Sequence, residues 1–142
     1  MSDSCDRGFD VPHFGEIRIG YVEGPPGPTH RYVGIHPYLV VSNNVYNKFS
    51  GQCEVIPFTT KRFGKKNPVH VDFSVGEVAG LDHNSTLVTE SRDILRNDQL
   101  GPPIGAFTKS NWIKAAPAIL IQNPIPGFIL SDGFIPSTEA DA

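Results

Sequence analysis

The stretch His36–Thr60 constrains the fold of this chain more than any other part, because it holds two apolar, β-branched runs around a polar segment. The first run, Tyr38–Val41, ends at a Ser-Asn-Asn sequence, and the second, Cys53–Phe58, ends at threonines and cations. Runs of this length and composition predict two buried strands joined by a polar turn. If both strands belong to one sheet, His36 precedes the first and Thr59 follows the second.

The ends of these strands carry side chains that suit phosphate chemistry. Histidine transfers protons near neutral pH, a hydroxyl donates hydrogen bonds, and cations hold an anion. The cations after Thr59 are Lys61, Arg62, Lys65 and Lys66. The sequence therefore suggests a place where a phosphodiester is held and broken.

Composition limits the setting of such a site. A chain of 142 residues is expected to form one domain with a substantial core. The net charge of -3 argues against a strongly basic surface, so a polyanion site must be a local patch. Cys5 and Cys53 form at most one bridge, and the sequence shows no apolar signal or membrane-spanning segment. We therefore expect reduced thiols in a cytoplasmic protein that does not enter a membrane.

The rest of the chain predicts a small, mostly antiparallel β-barrel with a C-terminal helix. We expect a flexible arm over 1–13, a barrel domain over 14–123 and a Pro/Gly-rich tail over 124–142. An irregular helical turn is predicted at Asp93–Leu100, and a helix from Asn111 with Thr108 or Ser110 as its cap. Further strands are predicted at Gly15–Val22, Val69–Phe73, Ser85–Glu90 and Ile104–Phe107.

Several short motifs follow one another in an order that resembles the MazF/PemK family of toxin endoribonucleases. They are Gly15-Glu16-Ile17, His36-Pro37-x-Leu39-Val40-Val41-Ser42-Asn43, Val55-Ile56-Pro57-Phe58-Thr59-Thr60, His70-Val71, Gly80-Leu81-Asp82-x-x-Ser85, Leu100 and Gly105. The resemblance implies an SH3-like barrel of the MazF, Kid and CcdB type that forms a homodimer and pairs with a cognate antitoxin. It also implies cleavage of single-stranded RNA, such as mRNA, without a metal or cofactor. In that family the ribose 2'-hydroxyl attacks, leaving a 2',3'-cyclic phosphate and a 5'-hydroxyl.

The same resemblance points to three catalytic positions. Thr59 matches the catalytic threonine of the family, and Glu90 matches an acidic residue at the end of a strand. His36 stands where the family carries an arginine before proline, and Val88 stands where one branch carries an arginine. The expected catalytic set is therefore His36, Thr59 and Glu90, with a histidine in place of a guanidinium.

General chemistry allows this exchange. Cleavage by a 2'-hydroxyl needs a base, an acid and positive charge on the phosphorane. Histidine can serve as base or acid, Thr59 can bind a non-bridging oxygen, and Glu90 can orient or deprotonate. Positive charge and RNA binding are expected from Arg31, Thr60, Lys61, Arg62, Lys65 and Lys66.

Each feature also has a plainer interpretation. His36 can be an ordinary loop residue, Thr59 a good strand residue, and Glu90 a cross-strand salt-bridge partner. The loop that carries Lys61, Arg62, Lys65 and Lys66, called the basic loop below, can simply protect a sheet edge. The histidines are too scattered for a metal motif, so no metal is expected. A CcdB-like toxin that binds gyrase, or a catalytically weak nucleic-acid-binding protein of the same fold, are the alternatives.

Overall fold

The structure is a computed structural model that describes residues 11–24 and 32–122. The strands are β1 Glu16–Val22, β2 Gly34–Val40, β3 Gln52–Thr59, β4 His70–Phe73, β5 Ser85–Val88, β6 Asp93–Arg96 and β7 Leu100–Ala106; the helices are α1 Asn44–Ser50 and α2 Lys109–Gln122, with 3-10 turns at Thr89–Ser91 and Asn97–Gln99. The predicted tail 124–142, and all but the last three residues of the predicted arm 1–13, lie outside the described residues. The division into arm, barrel and tail stays a prediction.

The strands form one antiparallel sheet in the order β4-β5-β3-β2-β1-β7, and β6 pairs with β3 off this path. β3 is the central strand, because it pairs with β2 along one edge and with β6 and then β5 along the other. The predicted class, a mostly antiparallel barrel-like sheet with a C-terminal helix, is confirmed. The two apolar runs of the sequence are neighbours in the sheet, as predicted.

The sheet curls without closing into a ring of hydrogen-bonded strands, since the path ends at β4 and β7. The loop after β4 nevertheless reaches β7 through two glycines. A Cβ on Gly80 would lie 2.5 Å from the carbonyl oxygen of Ile104, and a Cβ on Gly105 would overlap the carbonyl oxygen of Ala79. The backbones therefore approach to a distance that only glycine permits.

Apolar side chains are buried on both faces of the sheet. One cluster packs beneath α2 and contains Ile17, Leu39, Ile56, Phe58, Val71, Phe73, Val78, Leu81, Leu87, Phe107, Ala115 and Ala118. The other contains Val22, Tyr38, Val40, Cys53, Val55, Leu95 and Leu100. Strands that are buried on both faces read as continuous apolar runs, which explains the pattern that the sequence shows in β2 and β3.

The predicted polar turn between β2 and β3 was wrong, because residues 44–50 form helix α1. Asn43 caps it by accepting a hydrogen bond from the amide of Tyr46 at 2.8 Å, and Gly51 ends it in the left-handed conformation at φ 76°. The buried amide of Asn47 donates to the carbonyl oxygen of Pro12 at 2.8 Å. Polar residues that suit a turn also suit helix caps, and this tertiary contact favours the helix.

The predicted helical turn at Asp93–Leu100 was also wrong. Asp93–Arg96 is a strand because it pairs with the free edge of β3, and only Asn97–Gln99 forms a short 3-10 turn. β7 is longer than predicted and includes two prolines, which an edge strand tolerates. α2 begins two residues before the predicted Asn111, and Thr108 caps it by accepting from the Asn111 amide at 3.2 Å.

Candidate functional site

Thr59 is the last residue of β3, where the strand meets the basic loop, rather than the first residue after it. Its side chain is buried, and its hydroxyl oxygen accepts a hydrogen bond from the Lys61 amide at 3.2 Å. A hydroxyl also has one proton to donate. That proton has no acceptor in the described part of the chain, so Thr59 can donate to an anionic oxygen.

His36 lies inside β2, not before it as predicted, and Ile35 and Gly34 extend the strand towards the surface. Its Nε2 lies 2.9 Å from the carbonyl oxygen of Val33. A carbonyl only accepts, so Nε2 carries the proton and donates. The ring packs edge-on against Tyr32, with centroids 5.2 Å apart. Nδ1 makes no hydrogen bond with a described residue, and it is the atom left for proton transfer.

The register places His36 and Thr59 on the same face of neighbouring strands. The β2–β3 ladder ends at the Tyr38–Pro57 pair. Two residues further along each strand are His36 and Thr59, and residues two apart share a face. Facing residues of neighbouring strands lie about 5 Å apart at Cα if the register continues. That spacing would allow both side chains to contact one phosphate.

The polar face continues beyond Thr59 across two more strands. Thr59 pairs with Thr86, and Thr86 pairs with Asp72. The Thr86 hydroxyl donates to one Asp72 oxygen at 2.7 Å, and the amide of Gly64 donates to the other at 2.8 Å. Asp72 therefore ties the basic loop to the sheet beside Thr59. α2 packs on the opposite face, so it does not cover these residues, although Thr59 and Thr86 are themselves buried by other parts of the fold.

Glu90 was predicted at the end of a strand, but it lies in the 3-10 turn Thr89–Ser91. Its Oε2 is 2.8 Å from Nε2 of His70, whose side chain is only 4 % exposed. The described contacts of Glu90 include neither His36 nor Thr59. Glu90 thus belongs to a pair that sequence reasoning missed, because nothing in the spacing of His70 and Glu90 reveals that β4 and the turn are neighbours.

The basic loop between β3 and β4 is open to solvent. Its polar residues Thr60, Lys61, Arg62, Lys65 and Lys66 are exposed. None of the four cations pairs with a carboxylate in the part of the chain that the structure describes. The loop residues 64–68, together with His70 and Asp72, line a depression of about 530 Å³. This loop is a local positive patch on a chain of net charge -3, while Arg31 lies outside the described residues.

Two further features of the described residues bear on function. Within 11–24 and 32–122, no three His, Cys, Asp or Glu side chains group in a way that could hold a metal ion. Neither described helix combines the length and the apolar character needed to cross a bilayer.

Comparison with known proteins places the chain in context. Residues 15–122 match the model of a family described as PemK-like, MazF-like toxin of type II toxin-antitoxin system. An endoribonuclease in complex with its cognate antitoxin, from Mycobacterial species, is 21 % identical with a TM-score of 0.59, covering 82 % of this chain and 96 % of that one. Mycobacterium tuberculosis toxin MazF-mt6 is 21 % identical with a TM-score of 0.60, covering 75 % and 94 %. MazF from Deinococcus radiodurans is 18 % identical with a TM-score of 0.63, covering 78 % and 94 %. A comparison with curated proteins gives no match.

Proposed function

The chain belongs to the family of PemK-like, MazF-like toxins of type II toxin-antitoxin systems, and we propose that it is a sequence-preferring endoribonuclease that cuts single-stranded RNA without a metal. The observation that carries this proposal is the shared sheet face of His36 and Thr59 beside the basic loop, whose cations pair with no carboxylate among the described residues. One phosphate can then meet a proton-transfer group, a hydroxyl donor and positive charge together. The solved structures similar to this chain include endoribonucleases, which agrees with the proposal.

The proposed reaction is an in-line attack by the ribose 2'-oxygen on the adjacent phosphorus. The bond to the 5'-oxygen breaks as the new bond forms, giving a 2',3'-cyclic phosphate and a 5'-hydroxyl. One proton leaves the 2'-hydroxyl and one reaches the 5'-oxygen, so two proton-transfer groups are needed. We assign these roles to Nδ1 of His36 and the carboxylate of Glu90, while the Thr59 hydroxyl donates to a non-bridging oxygen.

Charge on the phosphorane must come from the basic loop. The family's arginine positions are occupied by His36 and by Val88, which is buried and cannot supply charge. Lys61 and Arg62 follow Thr59 directly and are exposed. We propose that they bind the scissile phosphate, and that Thr60, Lys65, Lys66 and Arg31 bind neighbouring nucleotides. A cation at the site of developing negative charge stabilises the transition state.

The proposed partners are a second copy of the chain, forming a homodimer, and a cognate antitoxin that covers the site. A solved structure similar to this chain is an endoribonuclease in complex with its cognate antitoxin. Large exposed apolar side chains on β1 and β2, among them Tyr21 and Ile35, offer surface for such contacts. A cytoplasmic location agrees with these partners.

The test is incubation of the purified chain with a defined single-stranded RNA in EDTA, followed by mapping of both new ends. We expect cleavage with cyclic phosphate and 5'-hydroxyl ends, and a loss of about 100-fold or more in rate for His36→Ala or Thr59→Val. His83→Ala is the control, because His83 is exposed on the loop before β5. Fragments that appear only with magnesium would contradict the metal-free scheme, and tight binding without cleavage would favour a nucleic-acid-binding protein.

A further inference from the structure

The pair formed by His70 and Glu90 differs from an ordinary surface ion pair. Its Nε2–Oε2 distance is 2.8 Å, with side-chain exposures of 4 % for His70 and 26 % for Glu90. His83 and Asp82 form a similar contact at 2.9 Å, but their side chains are 74 % and 93 % exposed. Exposed pairs contribute little because water competes for both groups. The buried ring of His70 instead holds its partner in one orientation.

The hydrogen-bonding capacity of the pair is only half used. An ionised carboxylate only accepts, so Nε2 of His70 donates to Oε2 of Glu90. The other oxygen, Oε1, and the other ring nitrogen, Nδ1, are buried without a hydrogen-bond partner in the described chain. Buried polar atoms are nearly always paired, and exceptions call for an explanation such as a catalytic role. Oε1 is therefore an acceptor atom that the described fold does not use, and the 26 % of the Glu90 side chain that is exposed is the part that a substrate can reach.

The turn in which Glu90 lies is also held by hydrogen bonds that do not involve the pair. The Thr89 hydroxyl donates to the carbonyl oxygen of Val69 at 2.6 Å, and the Thr89 amide donates to the same oxygen at 3.2 Å. These bonds join the turn to the residue that precedes β4, and His70 takes no part in them. His70 also lies in the wall of the depression beneath the basic loop, on the same sheet face as Asp72. Its location thus suits a role in the site better than a role in folding.

We propose that His70 is a positioning residue for RNA cleavage, whose Nε2–H holds the Glu90 carboxylate in the orientation in which Glu90 exchanges a proton with the substrate. This inference rests on the proposed function and adds a residue to the same site. His70 acts through Glu90 and does not itself touch the RNA. Removing the donor should leave RNA binding intact, while the chemical step becomes slower.

The experiment measures kcat and KM for cleavage of a defined single-stranded RNA in EDTA, with thermal unfolding of every variant. His70→Leu removes the donor at similar volume, and His70→Gln keeps an N–H near the position of Nε2. We expect His70→Leu to lower kcat about 10- to 100-fold with KM changed less than about twofold, and His70→Gln to recover most of the loss. His83→Leu is the matched control and should leave kcat unchanged.

A double-mutant cycle with Glu90→Gln tests whether His70 acts through Glu90. In the Glu90→Gln background, His70→Leu should cause no further loss of kcat. Multiplicative losses, an unchanged kcat in His70→Leu, or a change confined to KM would each overturn the inference while the nuclease function stands. A wild-type chain that cleaves no RNA would instead refute the function. Should His70→Leu unfold, His70→Asn replaces it, because its shorter amide stays polar but cannot reach Glu90.

Discussion

Replacing Gly105 with alanine should strongly destabilise the fold, because Gly105 lies where β7 meets the loop after β4. A Cβ there would lie 2.5 Å from the carbonyl carbon of Ala79 and 3.1 Å from Cα of Gly80. Carbon atoms in contact are separated by roughly 3.5–4.0 Å, so the backbone of Ala79 would have to move by about 1 Å. Backbone atoms on both sides cannot rotate away as a side chain can.

The expected loss is at the upper end of the range for overpacked sites, about 3 kcal/mol. For a domain of this size, 1 kcal/mol shifts the midpoint of thermal unfolding by roughly 4 °C, so Gly105→Ala should lower Tm by about 12 °C. Gly101→Ala is the matched control in the same strand. Its Cβ would meet nothing nearer than the carbonyl oxygen of Ile19 at 3.6 Å, an ordinary contact.

The assay is thermal unfolding of the three proteins followed by circular dichroism, supported by urea titration. Because alanine is less flexible than glycine in the unfolded chain, Gly101→Ala should be neutral or slightly stabilising, within about 1 kcal/mol. Equal Tm values for Gly105→Ala and Gly101→Ala would refute the reasoning. They would mean that the loop after β4 does not pack against β7 at this distance.

Three further predictions concern single side chains. Asp72→Ala leaves the buried Thr86 hydroxyl without its acceptor, so urea titration should show that the free energy of unfolding falls by about 1–3 kcal/mol. Limited proteolysis should also cut the basic loop faster, because Asp72 no longer holds it. Burial raises the pKa of the Cys53 thiol to about 11, so peptide mass spectrometry should show no alkylation of native Cys53 at pH 8. The stability that this raised pKa contributes should be lost as the pH rises from about 9 towards 11. Alkylation of Cys53 in the folded protein would contradict this prediction. The hydrogen bond from Lys114 lowers the pKa of Glu77, so Lys114→Met should raise it in an NMR titration; an unchanged titration would show that the pair does not persist in solution.

The pKa shifts of Cys53 and Glu77 affect the stability of the fold at opposite ends of the pH scale. Cys53 keeps its proton up to a higher pH in the folded chain than in the unfolded chain. Its contribution to stability is therefore complete at neutral pH and is lost only in alkali. Glu77 loses its proton more readily in the folded chain, so its contribution is present at neutral pH and is lost in acid. The Glu77 side chain is 37 % exposed, and solvent screening keeps its contribution to stability small.

The central strand pair could be read from the sequence because burial on both faces leaves a continuous apolar signal. Tyr38–Val41 and Cys53–Phe58 are such runs; the first lies in β2 up to Val40, and the second lies wholly in β3. α1 and β6 were missed because their local sequences suit more than one conformation. Asn43 and Gly51 fit a turn as well as helix caps, and Asp93–Arg96 becomes a strand only by pairing with β3.

The catalytic assignments of His36, Thr59 and Glu90 stay predictions, but the structure changes what each can do. Thr59 and His36 lie on one face of neighbouring strands, whereas Glu90 is held by His70 in a turn. A motif that is read along the chain cannot reveal such a partner. His70 and Glu90 are separated by a whole strand and the loop after β4, and they meet through β4–β5 pairing.

The residue pattern alone predicts the class of fold, the central strands and the basic loop, because buried strands need apolar side chains and exposed loops carry charged ones. Three contacts become visible in the folded chain alone: Asp72 holds the basic loop, His70 holds Glu90, and Gly80 and Gly105 let the loop after β4 approach β7. These contacts join segments far apart along the chain. The contacts of His70 and Asp72 depend on strand register, because a shift of one residue in β4 would turn both side chains to the other face.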